Sequence, residues 1–179
     1  MIEPMSSELT IRPEQPDDFD AIHQLVRDAF GRDVEAVVVR KLRASAAYVP
    51  QLALVAIENG AVVGHIMITT LDYESDAGKR VGTTILAPLA VRPDRQKRGV
   101  GSLLSREALG CARAAGFRSM ILVGHPTYYP RFGFRPASTW WIRYATPIPD
   151  EVFMAMELVP GALADAAGII HLPPAFDEA

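Results

Sequence analysis

Residues 89–102 read Leu89-Ala90-Val91-Arg92-Pro93-Asp94-Arg95-Gln96-Lys97-Arg98-Gly99-Val100-Gly101-Ser102, and their order decides the fold class. An apolar strand ends at Val91, a charged loop follows, and two glycines open an amphipathic helix. The first amides of a helix have no intrahelical acceptor, and the helix dipole adds positive potential, so such a start attracts anions. Gly99 and Gly101 leave room for phosphate oxygens to approach the main chain. Arg92, Arg95, Lys97 and Arg98 concentrate four cations in seven residues. The expected ligand therefore carries phosphates. For the glycine pair taken alone, an ordinary solvated turn is the competing reading.

Upstream, the strand feeding this loop covers about 81–91 (VGTTILAPLAV). Pro88 removes one ladder hydrogen bond and favours an edge or a bulge, where an extended, amide-bearing ligand can pair. Residues 52–58 (LALVAIE) and 61–71 (AVVGHIMITTL) flank Asn59-Gly60, a dipeptide suited to the positive φ angles of a tight hairpin. A polar loop is expected at 72–80. Residues 9–12 form a short strand. From Pro16 a helix places Phe19, Ile22, Leu25, Val26, Ala29 and Phe30 on one face, with Asp17, Asp18 and Asp20 in its first turn. A second helix covers about 34–44.

Downstream, a helix at about 100–115 directs Val100, Leu103, Leu104, Ala108 and Cys111 inward and stops at Gly116. Residues 117–124 (FRSMILVG) are almost wholly apolar, which implies a strand buried on both faces. Further strands are expected at 139–144 (TWWIRY) and 152–158 (VFMAMEL), with the adjoining Trp140 and Trp141 pointing one in and one out. The chain is thus α/β (α+β): a mostly antiparallel sheet with one strand–helix–strand crossover.

Composition narrows the function classes. The chain has 179 residues, 49% of them hydrophobic and 22% charged, with 13 Gly and 14 Pro. That balance suits one globular domain over 1–179 and excludes disorder, collagen-like repeats and coiled coils. No apolar run approaches the roughly 18 residues needed to span a bilayer. The start, MIEPMSSELT, lacks a basic region followed by an apolar one, so no secretory signal is expected. A lone cysteine, Cys111, suits a reducing, cytoplasmic setting. A net charge of -3 argues against nucleic acid as a partner. The dispersed His23, His65, His125 and His171 offer no metal-ligand spacing. Neither a G-x-S-x-G elbow nor a G-x-x-x-x-G-K-[ST] loop occurs.

Gln96-x-x-Gly99-x-Gly101 after LAPLAV, followed by Tyr129-x-x-x-Gly133-Phe134, resembles the GNAT superfamily of N-acetyltransferases. The run GHPTYYPRFGFRPA and the ending VFMAMELVPGAL resemble a bacterial branch of it, so the resemblance covers nearly the whole chain. It implies a twisted mixed sheet with splayed central strands flanked by helices, and acetyl-CoA lying in the gap. It further implies that the main chain of Leu89, Ala90 and Val91 pairs with the pantetheine arm. The amides around Gln96, Lys97, Arg98, Gly99, Val100, Gly101 and Ser102 would hold the pyrophosphate. Tyr129 matches the family's candidate general acid, which protonates the departing thiolate during direct transfer to an amine. Two positions depart from the pattern: Leu122 stands where many members carry Asn, and Arg95 where an aromatic residue is common.

Other residues carry paired readings. Tyr129 is either that acid or a ring packed beneath the cofactor. Tyr128 is structural or substrate-facing. Glu74, with Asp72 and Asp76, is either part of a solvated acidic loop or a carboxylate that binds an ammonium and relays its proton. His125, at a strand exit, faces the thioester or solvent. His65 reads first as a satisfied core histidine, His23 and His171 as surface or packing residues, and Cys111 as a small core residue. The expected function is acetyl-CoA-dependent N-acetylation of a small-molecule or peptide amine, without metal, nucleic acid or membrane. A homodimer suits the paired tryptophans and the apolar C-terminal half. The alternative is a non-catalytic acyl-CoA-binding sensor or scaffold module.

Overall fold

Long antiparallel pairings build most of the sheet in the computed structural model, which describes residues 9–177. Residues 1–8, most of the segment read for a secretory signal, lie outside the described residues. Strand β1 (Leu9–Pro13) pairs with β2 (Tyr48–Glu58), β2 with β3 (Ala61–Glu74), and β3 with β4 (Arg80–Val91), all antiparallel. Asn59 and Gly60 close the β2–β3 hairpin with φ of 51° and 77°, as a two-residue turn of this hand requires. Helices α1 (Phe19–Phe30) and α2 (Val34–Arg43) lie between β1 and β2 in the chain. Helix α3 (Val100–Ala114) crosses from β4 to β5 (Ser119–Val123), which runs parallel to β4. The two-residue β6 (Arg135–Pro136) edges the sheet beside β8 (Phe153–Glu157), giving the order β1-β2-β3-β4-β5-β8-β6. A separate parallel pair joins β7 (Ile142–Tyr144) to β9 (Gly168–Ile170).

Strand alternation distributes the apolar side chains between two faces. Ile66 and Ile68 of β3 pack with Leu104 and Ala108 of α3, while Met67 between them packs with Ile22 and Val26 of α1 and Val39 and Leu42 of α2. A third cluster joins Ile85, Ile121 and Phe153 of the sheet to Ile142, Leu163 and Ile170. Burying a side chain such as Leu104 or Met67 contributes about 2 kcal/mol, so these clusters set the position of β4 and α3.

The structure revises several expectations. Strand β3 continues to Glu74, opposite Arg80, so the polar loop shrinks to 75–79. Leu103 is 46% exposed, and Cys111 lies at the flank of the core. At about 100° per residue the buried face of α3 centres near Leu104, Ala108 and Ala112, which turns Leu103 to the far side. Phe30, the last residue of α1, is also exposed. Residues 139–141 are not strand. Ala137–Trp140 form a 3₁₀ turn, Trp141 takes a left-handed φ of 59°, and only Ile142–Tyr144 extend. Trp140 packs against the third cluster and Trp141 is 75% exposed, so the inward–outward split arises from a chain reversal rather than a pleat.

Candidate functional site

The gap begins where β4 and β5 part. Their parallel ladder consists of Thr84↔Met120 and Ile85↔Ile121, after which Leu122 and Val123 pair only with β8. On the other side of β4, Ile66 faces Leu89 and Ile68 faces Leu86, so Ala87 and Pro88 together oppose Met67. That is a bulge, and Pro88 contributes no N–H to either neighbour. From Leu86 to Val91 the β5-facing edge of β4 therefore runs without a strand partner. Leu89, Ala90 and Val91, expected to pair with an extended ligand, line this edge.

The edge leads directly to the start of α3. Lys97 and Gly99 take positive φ of 61° and 88°, and the reversal sets the first turn of α3 beside the strand end, with the Gly101 Cβ position 3.5 Å from Val91 Cγ2. Leu103 N–H reaches Gly99 C=O at 3.0 Å, while the amides of Val100, Gly101 and Ser102 have no backbone acceptor among the described residues. The Gln96 side chain donates to Val91 C=O at 3.1 Å and ties loop to strand. Of the four cations, Arg92 pairs with Asp94, and Arg95 with Glu58 and Asp94. Lys97 and Arg98 are exposed and form no ion pair with described residues. Two of the four thus organise the loop, and two project from it without an ion-pair partner among the described residues.

Across the gap, β5 delivers a 3₁₀ turn, Tyr129–Phe132. His125 C=O accepts from Tyr128 N–H at 3.1 Å, and Gly133 closes the turn with φ of 102°. Tyr129 is 8% exposed, its ring edge-on to Tyr128 at 5.0 Å and to Phe134 at 5.8 Å. Burial, with a smaller contribution from Tyr128, pushes the Tyr129 hydroxyl above the ordinary tyrosine value, so it stays protonated at neutral pH. The Tyr128 hydroxyl is buried and lies 2.9 Å from the position a Cβ on Gly101 would take. Leu122, at the position where many GNAT members carry Asn, is fully buried in the core beneath α3.

Among the remaining candidates, the exposed His125 sits at the β5 exit beside the gap, whereas Glu74 does not join the cluster. Glu74 pairs with Arg80, six residues along β4 from Leu86, which is roughly 20 Å at strand rise. Asp72 is bound by Arg80 and Asp76 by Arg143, so neither carboxylate stands ready for an ammonium. His65 is fully buried and bonds Glu14 through Nε2 at 2.9 Å, but its buried Nδ1 has no partner among the described residues, so the expected core histidine is satisfied on one nitrogen only. Glu14, which also accepts from Arg43 and Tyr48, had no signature in the sequence, its three partners lying 29 to 51 residues away. No group of three or more His, Cys, Asp or Glu within reach of a common metal occurs among the described residues, and no described helix is long and apolar enough to cross a membrane.

Comparison with known proteins agrees with this geometry. Residues 10–137 match the Acetyltransferase (GNAT) domain family. The chain is 37% identical over 135 residues to the uncharacterized N-acetyltransferase YjhQ of Escherichia coli, covering 75% of this chain and 74% of that one. It is 30% identical over 171 residues to the uncharacterized N-acetyltransferase YhbS of the same species, covering 95% and 99% respectively. The crystal structure of YhbS in complex with CoA superposes with a TM-score of 0.86 at 28% identity, over 99% of this chain and 96% of that one. A GNAT family acetyltransferase from Brucella melitensis in complex with acetyl-CoA gives 0.76 at 32% identity, over 96% and 99%. With its parted β4 and β5, its glycine-led helix start and these relatives, the chain belongs to the GNAT acetyltransferase family.

Proposed function

We propose that this protein transfers the acetyl group of acetyl-CoA directly to a primary amine. The observation that carries the reading is the unpaired edge of β4 from Leu86 to Val91, leading without interruption to the free amides of Val100, Gly101 and Ser102. An extended amide chain pairs with such an edge, and a pyrophosphate fits the helix start, where Lys97 and Arg98 add charge. Acetyl-CoA combines both parts and supplies the thioester. The complexes of YhbS with CoA and of the Brucella melitensis relative with acetyl-CoA support this choice.

In this reading β4 and the α3 amides hold the thioester in one orientation, so much of the rate comes from positioning the amine against it. The incoming ammonium must lose a proton before its nitrogen can attack. His125, exposed beside the gap, accepts that proton through water, a role that Glu74 is too distant to fill directly. The Tyr129 hydroxyl, kept protonated by burial, donates to the departing sulfur, so CoA leaves as the thiol. The acceptor is a small-molecule or peptide amine. The buried Leu122, in place of a polar residue near the thiol, favours the second reading, an acyl-CoA-binding module without turnover.

Calorimetric titration with acetyl-CoA, on the native chain and on Gly101→Glu, tests the first step. The substitution places a carboxylate at the anion site and forces the Tyr128 hydroxyl aside. Saturable binding that the variant loses is expected; a folded native protein that binds no acetyl-CoA would refute the proposal.

A further inference from the structure

We infer that the Tyr128 hydroxyl donates a hydrogen bond to a phosphate oxygen of the bound cofactor, which makes Tyr128 a binding residue distinct from Tyr129. The inference rests on the reading of the α3 start as the pyrophosphate site. Its starting point is an oxygen without a partner: Tyr128 Oη is buried and bonds no described residue. A buried hydroxyl left in that state costs about 1–3 kcal/mol, so its position needs an explanation.

The hydroxyl is aimed at one place. It lies 2.9 Å from the Cβ position of Gly101, where Val91 Cγ2 and Leu89 Cδ2 close the surroundings at 3.5 and 3.8 Å. It therefore sits between the end of β4 and the first turn of α3. Two covalent bonds separate that Cβ position from the Gly101 amide nitrogen. The aim is also held firmly. The Tyr128 ring meets Tyr129 edge-on at 5.0 Å and Phe132 at 5.4 Å, and the Arg131 guanidinium lies 4.6 Å from its centroid. Swinging the hydroxyl out to solvent would break all three contacts.

The neighbouring polar groups identify the partner. The Gly101 Cβ position that the hydroxyl abuts belongs to the helix turn whose Val100, Gly101 and Ser102 amides are unbonded donors, and the Gly101 carbonyl already accepts from Ser105 Oγ at 2.8 Å. No described acceptor thus bonds this phenol. Donors that converge from a helix start and a tyrosine match an anionic oxygen, which accepts from several at once. The absence of a side chain at Gly101 has the same explanation, since any Cβ would push the hydroxyl away.

Tyr128→Phe removes the oxygen and keeps the ring contacts. Calorimetry is expected to show CoA bound about tenfold more weakly, and thermal unfolding without ligand a Tm unchanged or raised, because an unsatisfied buried group has gone. ADP, which has the pyrophosphate but no pantetheine, is expected to weaken by a similar factor. Equal CoA affinity in the two proteins overturns the inference. So does a Tm that falls by several degrees, which would mean the hydroxyl is bonded within the protein. ADP that binds both proteins equally, or neither, overturns the assignment to phosphate. If Gly101→Glu abolishes CoA binding while Tyr128→Phe retains it in full, the site stands and only this inference fails. A native protein that binds no CoA removes both.

Discussion

Replacing Glu14 by Gln is expected to cost about 3–5 kcal/mol at neutral pH, although Glu14 lies outside the gap. Its fully covered carboxylate accepts from Arg43 Nε and Nη2 at 2.7 and 2.9 Å, from the Tyr48 hydroxyl at 2.9 Å and from His65 Nε2 at 2.9 Å. Burial alone would raise its pKa, but the hydrogen bonds and charges of His65 and Arg43 prevail and hold the carboxyl at about 2 rather than 4.5. The Tyr48 hydroxyl is raised, by burial first and then by Glu14, as expected beside an ionised carboxylate. The interval between 4.5 and about 2, at about 1.4 kcal/mol per pH unit, corresponds to roughly 3 kcal/mol. Loss of one partner from a buried pair leaves Arg43 uncompensated and costs a similar amount. Because the folded pKa is depressed, this stabilisation is fully present above pH 4.5 and is lost as pH falls from there toward 2. For a chain of this length the change at pH 7 corresponds to roughly 6–20 °C in Tm. Urea unfolding of both proteins at pH 7, 5, 4 and 3 measures it. A difference below 1 kcal/mol at pH 7, or one that does not shrink below pH 4.5, would refute the reasoning. The network also bears on the gap, since His65 pairs across the ladder with Ala90 on the edge proposed to hold the cofactor.

Two further substitutions probe the tyrosine turn. A Cβ at Gly124 would collide with Tyr129 Cε2, with Cδ2 at 2.9 Å and Leu122 Cδ1 at 3.2 Å, so Gly124→Ala should destabilise by about 1–3 kcal/mol in urea unfolding. A loss below 0.5 kcal/mol, on the same scale, would show that the buried ring moves freely. Tyr129→Phe should lower acetyl transfer about a hundredfold, measured as thiol release with an accepted amine, while acetyl-CoA affinity changes less than about threefold. Undiminished turnover would assign the tyrosine a packing role, and no turnover by the native protein with any amine would favour the sensor reading.

Much of the site was legible because its parts are contiguous. The glycine pair, the turn at Asn59-Gly60 and the proline in β4 act through φ angles and missing donors within a few residues, and each appears where the local chemistry requires it. The place of Glu74 in the fold was less legible. Polar residues at 72–74 suggested a loop near the acceptor, yet pairing with Arg80–Gly82 extends the strand and carries them away from the gap. Leu103 failed on phase, because apolar identity does not reveal which side of a helix the core will occupy, whereas the split between Trp140 and Trp141 held although a 3₁₀ turn replaces the expected strand there.

By itself the sequence determined the glycine-led helix start, the bulged strand before it and the tyrosine turn after β5, since short-range backbone geometry specifies each of them. Only the tertiary structure decided how these parts meet. The β4–β5 ladder ends after Ile85, just before the bulge at Ala87 and Pro88, while β8 pairs the opposite edge of β5 as far as Val123, and the Tyr128 hydroxyl reaches Gly101 across 26 intervening positions of chain. The buried Glu14 network joins the residue after β1 to α2, β2 and β3 through bonds between residues up to 51 apart. Such contacts depend on burial and mutual orientation that arise only when the sheet has assembled, and no local pattern encodes them.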